Sequence, residues 1–368
     1  MESSNSEVID FISLPKIELH AHLSGSISRQ CLHEVWLQKW ERGETTLQDP
    51  LLEMPDGKFD YDLETFFPLF SKYIYNLCND LPSLIYTTNS VLQDFYSDGV
   101  IYLELRTTPR AIPSANITKE IYIQTILDCI SQHNSSNPSM KTNLILSIDR
   151  RNDLPTAMEV VTLAHQYSQH GVVGIDLCGD PSVGDISIFA PAFQSAHTHD
   201  LKITLHFAEI AHTPTSSELR TLLSYKPHRI GHVIHVPEEL KDEIERRGLG
   251  LELCLSCNVH AKMIVGGFGD HHFGEWWGRG GKGGLCRVVL CTDDVGVFGS
   301  KLSNEYALIA QHFQLDRQEI CELARSGIET IFGSEGDREW LRRVMWRVGG
   351  VGGGGWGRGC ELVGLNGE

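Results

Sequence analysis

Short apolar runs that favour β-strands recur along the chain, and segments with helical periodicity separate them. The predicted strands are residues 16–19, 100–105, 143–148, 172–177, 202–205, 229–234, 249–253 and 287–291. The predicted helices include 118–133, which opens at Thr118, 154–170, which ends before Gly171, and 237–248. Strands that are apolar on both faces and alternate with helices form parallel sheets. Eight such units over roughly 300 residues therefore predict an α/β fold, a TIM (β/α)8 barrel.

The first unit of this barrel is longer than the others. Residues 24–99 add a helical insert after strand 1, and its segment 59–78 is rich in aromatic residues. Packing against the barrel is the favoured interpretation of these aromatics, and a lid over the barrel mouth is the alternative. The sequence does not decide how much of the barrel mouth the insert covers.

Two segments are rich in glycine: residues 266–284 hold nine glycines in nineteen positions, and 349–368 hold ten in twenty. Glycine runs lose much backbone entropy on ordering. We therefore expect a barrel domain over residues 1–345 and a disordered tail over 346–368, which a gene-model artefact would also explain. The sequence leaves open whether 266–284 is ordered.

Composition narrows the classes of function. A hydrophobic content of 41% and a charged content of 21% are typical of a soluble globular protein, and the formal net charge is −17. This charge argues against a general partner such as nucleic acid or an anionic membrane. No secretory signal is visible, and the ten cysteines have no disulfide-framework spacing, so we expect reduced thiols and a cytoplasmic protein. Cys254 and Cys257 form a lone CxxC, interpreted as buried strand thiols.

Polar side chains gather where the predicted strands end. They are His20 and His22; Arg106, Thr107, Thr108 and Arg110; Asp149; Asp176 and Gly179; His206 and Glu209; His232; and Asp293 with Asp294. The carboxyl ends of barrel strands form the catalytic face. Residues i and i+2 of a strand point to the same side, so the HxH pair can share an ion. His206 as a core histidine and Asp293–Asp294 as a helix start are the less favoured alternatives.

The whole pattern resembles the adenosine/AMP deaminase family, whose barrels are of the metal-dependent hydrolase type. The matching motifs, in the family's order across about residues 10–335, are ELHAHLSGS, GIDLCGDP, LHFAE, RIGHVIH, ELCLSCNV and LCTDDVGVF. The tail has no counterpart. By this resemblance His20, His22, His206 and Asp293 bind one Zn²⁺ per chain, and hydroxide adds to C6 of a purine. Strand 4 lacks the lysine that bridges two metals in related barrels, which favours one ion.

The same resemblance implies roles for the remaining residues. Glu209 would protonate purine N1, His232 would hold the hydroxide and stabilise developing charge, and Asp294 would bind N7. Gly179 would let the backbone approach the base edge. The predicted substrate-binding residues are His22, Ser24, Thr107, Thr108, Pro109, Arg110, Asp149, Gly179 and Asp294.

Within the family, the nearest resemblance is to the adenosine deaminase-like group, which implies conversion of N6-methyl-AMP to IMP and methylamine. Ser24 is neutral where a carboxylate would repel a phosphate, Arg110 offers a cation, and DHHFGEWW (270–277) is typical of this group. Arg110 as a solvated surface cation is an equal alternative. An adenosine deaminase and a catalytically inactive zinc-binding barrel are the other hypotheses. The expected partner is a purine nucleotide, and the expected assembly is a monomer.

Overall fold

The computed structural model describes residues 9–211, 215–281 and 286–345 of the chain. Its eight parallel strands form one sheet in the order in which they occur along the chain. They are β1 (Lys16–His22), β2 (Val100–Thr107), β3 (Lys141–Asp149), β4 (Val172–Cys178), β5 (Lys202–Phe207), β6 (Arg229–His232), β7 (Gly250–Leu253) and β8 (Arg287–Leu290). The last strand returns to the first, because Ala21 and Asp293 form a parallel bridge. The predicted TIM barrel is confirmed.

Helices separate the strands on the outside of the barrel. They are α1 (Arg29–Glu41), α2 (Leu63–Leu69), α3 (Tyr75–Leu77), α4 (Leu81–Ser97), α5 (Lys119–Ser136), α6 (Leu154–Gln166), α7 (Ala190–Thr198), α8 (Ser216–Ser224), α9 (Glu238–Arg247), α10 (Leu255–His260), α11 (Phe273–Trp276), α12 (Val295–Phe298), α13 (Leu302–Phe313), α14 (Arg317–Ser326) and α15 (Glu335–Val344). None of them, within the described ranges, combines the length and the apolar character that crossing a bilayer requires.

Two of the predicted helix ends agree with the structure for physical reasons. The Thr118 hydroxyl accepts from the Ile121 backbone N–H at the start of α5. Gly248 follows α9 with φ of 64°, a left-handed conformation that glycine adopts without a Cβ clash. The helix predicted over 154–170 is shorter in the structure, because α6 ends at Gln166 and a 3-10 turn over Ser168–His170 leads to Gly171. The predicted helical insert after strand 1 is confirmed and contains α1 to α4.

The glycine-rich segment before β8 is partly helical. Phe273 and Trp276 of α11 are buried with at most 1% of their surface exposed, and this burial offsets the entropy that the glycines lose. Residues 282–285 and the predicted tail 346–368 lie outside the described residues. The tail therefore stays a prediction.

Charged side chains occupy the inside of the barrel. Glu104, Arg229 and Glu252 are fully buried, and Arg229 forms ion pairs of 2.6 Å with both carboxylates. Buried charges are stable only when they are paired in this way. These pairs form a charged layer inside the barrel, and Glu252 connects this layer to His20 near the carboxyl end of β1.

Eight cysteines within the described ranges are buried free thiols, in agreement with the expectation of reduced cysteines. Cys321 is also buried, and the tenth cysteine, Cys360, lies outside the described residues, so the expectation stays a prediction for these two.

Candidate active site

Four side chains with metal-ligand chemistry converge at the carboxyl end of the barrel. His20 and His22 end β1, His206 lies in β5, and Asp293 follows β8. The Nε2 atom of His206 lies 3.2 Å from His20 Nε2 and 3.1 Å from His22 Nε2. Asp293 Oδ1 lies 3.3 Å from the Nε2 atoms of His20 and His22. The structure thus brings together the four residues that the sequence suggested as ligands.

The Nδ1 atoms of His20 and His206 make hydrogen bonds that leave their Nε2 atoms free to bind a cation. His20 Nδ1–H donates to Glu252 Oε2 at 2.7 Å, and His206 Nδ1–H donates to Asp176 Oδ1 at 3.1 Å and to the Leu177 carbonyl at 3.0 Å. A neutral imidazole has one N–H, so both Nε2 atoms present lone pairs to each other. A tetrahedral ion with bonds of about 2.0–2.1 Å would hold such atoms roughly 3.3 Å apart. The donor set therefore fits a divalent metal ion.

One buried arginine connects the two carboxylates that orient these imidazoles. Arg106 is fully buried; its Nη2 donates to Glu252 Oε2 at 2.8 Å, and its Nη1 lies 3.4 Å from Asp176 Oδ1. The chain His20, Glu252, Arg106, Asp176, His206 is thus continuous. Asp176 was among the polar strand-end residues expected from the sequence but had no role, and Glu252 was not among them. A single acid in an otherwise apolar strand was the signal for both.

The backbone is strained where it presents these groups. His232, Val233 and Asp293 have φ of 62°, 58° and 61°, in the left-handed region that non-glycine residues rarely adopt. Such conformations cost on the order of 1–3 kcal/mol each and cluster at functional sites. At Asp293, reciprocal bonds hold the turn: its N–H donates to the His20 carbonyl at 2.8 Å and its carbonyl accepts from the His22 N–H at 3.0 Å.

Three further polar groups lie beside the four candidate metal ligands, which we call the metal-type cluster (His20, His22, His206 and Asp293). Within the described part of the chain, Glu209 Oε2, His232 Nε2 and Asp294 Oδ1 are buried atoms without a hydrogen-bond partner. His232 Nε2 lies 3.8 Å from Glu209 Oε1 and 3.8 Å from Asp293 Oδ2. Buried polar atoms without partners cost free energy unless they bind something. They are therefore candidates for contact with a reactant.

The carboxyl groups of the site differ in protonation. Burial raises the pKa of Glu209 to about 7, so this group holds a proton part of the time at neutral pH. Burial and the neighbouring Asp293 charge raise the pKa of Asp294 well above its usual range. Burial opposes ionisation of Asp293 as well, but the imidazoles of His20 and His22 outweigh it and hold the pKa of Asp293 well below its usual range. The site thus contains both an acid and an anion.

The CxxC pair does not consist of strand thiols as the sequence suggested. Cys254 follows β7 and Cys257 lies in α10, because the chain turns into a helix directly after the strand. The Cys257 thiol donates to Asp293 Oδ2 at 2.9 Å. This contact leaves Asp293 Oδ1 free to face the imidazoles.

The helical insert supplies one wall of the pocket that contains these groups. Phe66, Phe67, Phe70 and Tyr75 line the pocket together with His22, His206, Glu209, Asp293 and Asp294. Tyr73 instead donates from its phenol to Glu53 at 2.9 Å, away from the pocket. Packing alone was therefore too narrow an interpretation of the insert, because the same aromatic face both packs and covers the barrel mouth.

Most of the predicted substrate-binding residues line this pocket. They are His22, Ser24, Thr107, Thr108, Arg110, Asp149, Gly179 and Asp294. Pro109 is buried and is not among the lining residues, so direct contact with a ligand is not supported for it. Gly179 has φ of 100°, and a Cβ there would lie 2.8 Å from Asp149 Oδ1. Glycine at 179 therefore leaves room for the Asp149 carboxylate.

Two arginines line one side of the pocket, and one of them is paired with a carboxylate. Arg110 lies over the ring of Tyr75, with its guanidinium carbon 4.1 Å from the ring centroid. Arg151, which sequence analysis did not single out, also lines the pocket and binds Asp149 through its Nε at 2.8 Å and its Nη2 at 2.5 Å. The signal for Arg151 was its position directly after a strand end.

Comparisons with known proteins agree with this geometry. The sequence model of the adenosine deaminase family matches residues 15–346. An N6-mAMP deaminase of Arabidopsis thaliana is 37% identical over 90% of this chain and 96% of its own length. A human N6-methyl-AMP deaminase is 35% identical over 91% of this chain and 93% of its own. A solved structure of Arabidopsis ADAL complexed with IMP superposes with a TM-score of 0.82 at 37% identity, covering 90% and 96% of the two chains.

Proposed function

Because this chain belongs to the adenosine deaminase family, we propose that it hydrolyses N6-methyl-AMP at purine C6 to give IMP and methylamine. Relatives named N6-methyl-AMP deaminase cover nine-tenths of the chain. The observation that carries the proposal is one pocket lined by Arg110 and by three of the four candidate metal ligands, His22, His206 and Asp293. A metal ion held by the metal-type cluster would supply the hydroxide that adds to C6. The Arg110 guanidinium would form charge-assisted hydrogen bonds with a 5′-phosphate.

We propose one Zn²⁺ per chain at His20, His22, His206 and Asp293. Three imidazole nitrogens and one carboxylate oxygen are ligands that zinc accepts readily. β4 offers Asp176 to His206 and has no lysine that could bridge a second ion. A bound zinc supplies Lewis acidity, which brings the pKa of water down to about 7 and makes hydroxide available at neutral pH.

The protein's own groups provide the proton chemistry of the proposed reaction. Glu209, with a pKa raised to about 7, donates a proton to purine N1 and so makes C6 electrophilic. Asp294 is held neutral and donates to N7. His232 donates from Nε2 to the attacking oxygen and stabilises the charge that develops there. Buried walls around these groups strengthen each interaction.

The substrate assignment predicts a result for Arg110→Ala. A charge-assisted contact to phosphate contributes about 1.5–3 kcal/mol, so kcat/KM for N6-methyl-AMP should fall by roughly ten- to a hundred-fold. Turnover of N6-methyladenosine, which has no phosphate, should not change. Steady-state assays with both substrates measure the difference, and Arg110→Lys should recover part of the loss because it keeps the charge.

A matched control is Arg42→Ala, because Arg42 is exposed, pairs with Glu44 and does not line the pocket. Equal losses on nucleotide and nucleoside in Arg110→Ala would contradict a phosphate role. If the wild type deaminates adenosine at least as efficiently as the monophosphates, the protein is an adenosine deaminase instead. Bound zinc without turnover of any purine would identify an inactive barrel.

We further propose that the protein acts as a monomer, as expected from the sequence. Light scattering on the purified protein tests this. The cytoplasmic location stays a prediction from the sequence.

A further inference from the structure

The segment DHHFGEWW contacts the end of β6 next to the site. The His272 imidazole donates from Nε2 to the His232 carbonyl at 2.6 Å, and the Trp276 indole N–H donates to the Val233 carbonyl at 3.2 Å. His232 and Val233 are two of the residues with left-handed backbone. The segment therefore stabilises the strained turn that carries the His232 side chain.

A second set of contacts connects this segment to the His232 ring. The Phe273 backbone N–H donates to His271 Nδ1 at 3.0 Å. His271 Nε2 lies 3.1 Å from Asn258 Oδ1, and Asn258 Nδ2 lies 2.9 Å from His232 Nδ1. His271, Asn258 and His232 are buried, with at most 3% of their surfaces exposed. Water therefore does not compete for these bonds.

The backbone N–H determines the direction of every bond in this series. A backbone N–H can only donate, so His271 Nδ1 accepts and the proton of a neutral His271 lies on Nε2. That N–H donates to Asn258 Oδ1, because the flipped amide would place two donors against each other. Asn258 Nδ2 then donates to His232 Nδ1. A neutral His232 consequently carries its proton on Nε2.

Burial supports the neutral state of His271, because it lowers the pKa of His271 well below the usual value of 6.5. The neutral state of His232 follows from its contact with the Asn258 amide, because a ring nitrogen that accepts a hydrogen bond carries no proton. Glu209 and Asp293 each place an oxygen 3.8 Å from His232 Nε2. The rings of His20 and His206 have centroids 5.1 and 5.2 Å from that of His232, and Cys254 also lies nearby. His232 Nε2 has no hydrogen-bond partner within the described residues. Its N–H is therefore unpaired beside Glu209 and Asp293, which line the pocket.

We propose that His271 and Asn258 are positioning residues that hold His232 as the Nε2–H tautomer, ready to donate to the oxygen that attacks C6. The catalytic part of this proposal rests on the proposed function, whereas the tautomer itself does not. We refer to Phe273 N–H, His271, Asn258 and His232 as the tautomer relay.

The direct test is Asn258→Asp, which keeps the size of the side chain and replaces its donor by an acceptor. A carboxylate accepts from His232 Nδ1–H and moves the proton away from Nε2. Loss of one preorganised donor to developing charge costs about 10²–10³ in kcat. We expect that fall with N6-methyl-AMP, with KM and the zinc content per chain close to those of the wild type.

A readout independent of activity is the ¹⁵N NMR spectrum of histidine-labelled protein, with the His232 signals assigned from their loss in His232→Gln. We expect the Nε2–H tautomer in the wild type and the Nδ1–H tautomer in Asn258→Asp. If wild-type His232 is the Nδ1–H tautomer, the relay is wrong whatever the enzyme's substrate. If the wild type does not turn over N6-methyl-AMP, the proposed function fails while the spectrum still tests the relay.

A second pair of variants tests the relay if Asn258→Asp does not fold. His271→Gln keeps a carbonyl to accept and an N–H to donate, and should retain most of kcat. His271→Leu removes both and should lose at least ten-fold. His235→Gln is the matched control, because His235 donates to the Met263 carbonyl at 2.9 Å outside the relay. Equal kcat in His271→Leu and His235→Gln would overturn the proposal.

Discussion

Replacing His206 by alanine should abolish deamination and leave the protein without its metal ion. His206 Nε2 lies within 3.2 Å of both other imidazole nitrogens, so it occupies the middle of the ligand set. Without it, two nitrogens and one carboxylate oxygen remain, and a four-coordinate site cannot form. Elemental analysis should find one zinc per wild-type chain and close to none in His206→Ala.

The same substitution should lower the melting temperature, because binding to the folded state alone stabilises it. A metal present at a hundred times its Kd adds about 2.7 kcal/mol of stability. His170→Ala is the control, since His170 is exposed on the outside of the barrel. Two ions per wild-type chain, none in the wild type, or full metal content in His206→Ala would each contradict the assignment.

The barrel and its ring of ligands could be predicted from the sequence because both depend on local patterns. Each strand is a short apolar run, and a parallel barrel brings every strand's carboxyl end to one rim. His20, His22, His206 and Asp293 could be grouped on that basis without knowledge of the strand register. The strand predicted over 229–234 ends early at His232, because left-handed backbone at His232 and Val233 interrupts it. Nothing in RIGHVI indicates that strain.

The residues behind the ligands could not be predicted, because their contacts join distant parts of the chain. His20 and Glu252 are 232 positions apart, and only the order and register of the strands bring them together. Arg106 belongs to the polar end of β2 in the sequence, yet its side chain points into the barrel and is fully buried. The aromatic insert was ambiguous for a different reason, since an apolar helix face looks the same whether it covers a core or a substrate.

Glu209→Gln should reduce kcat by at least about 10²–10⁴ while zinc stays bound, because general acid catalysis contributes about that much. Glutamine has the size of the acid and lacks a transferable proton, so purine N1 is no longer protonated as C6 is attacked. Glu209 is not part of the ligand set, and its Oε1 lies 3.8 Å from His232 Nε2. The metal content should therefore remain at the wild-type level, unlike that of His206→Ala.

Glu239→Gln on the exposed side of α9 is the control and should keep full activity. Near-normal turnover in Glu209→Gln would show that another group donates the proton, and metal loss would show that Glu209 supports the ligands instead.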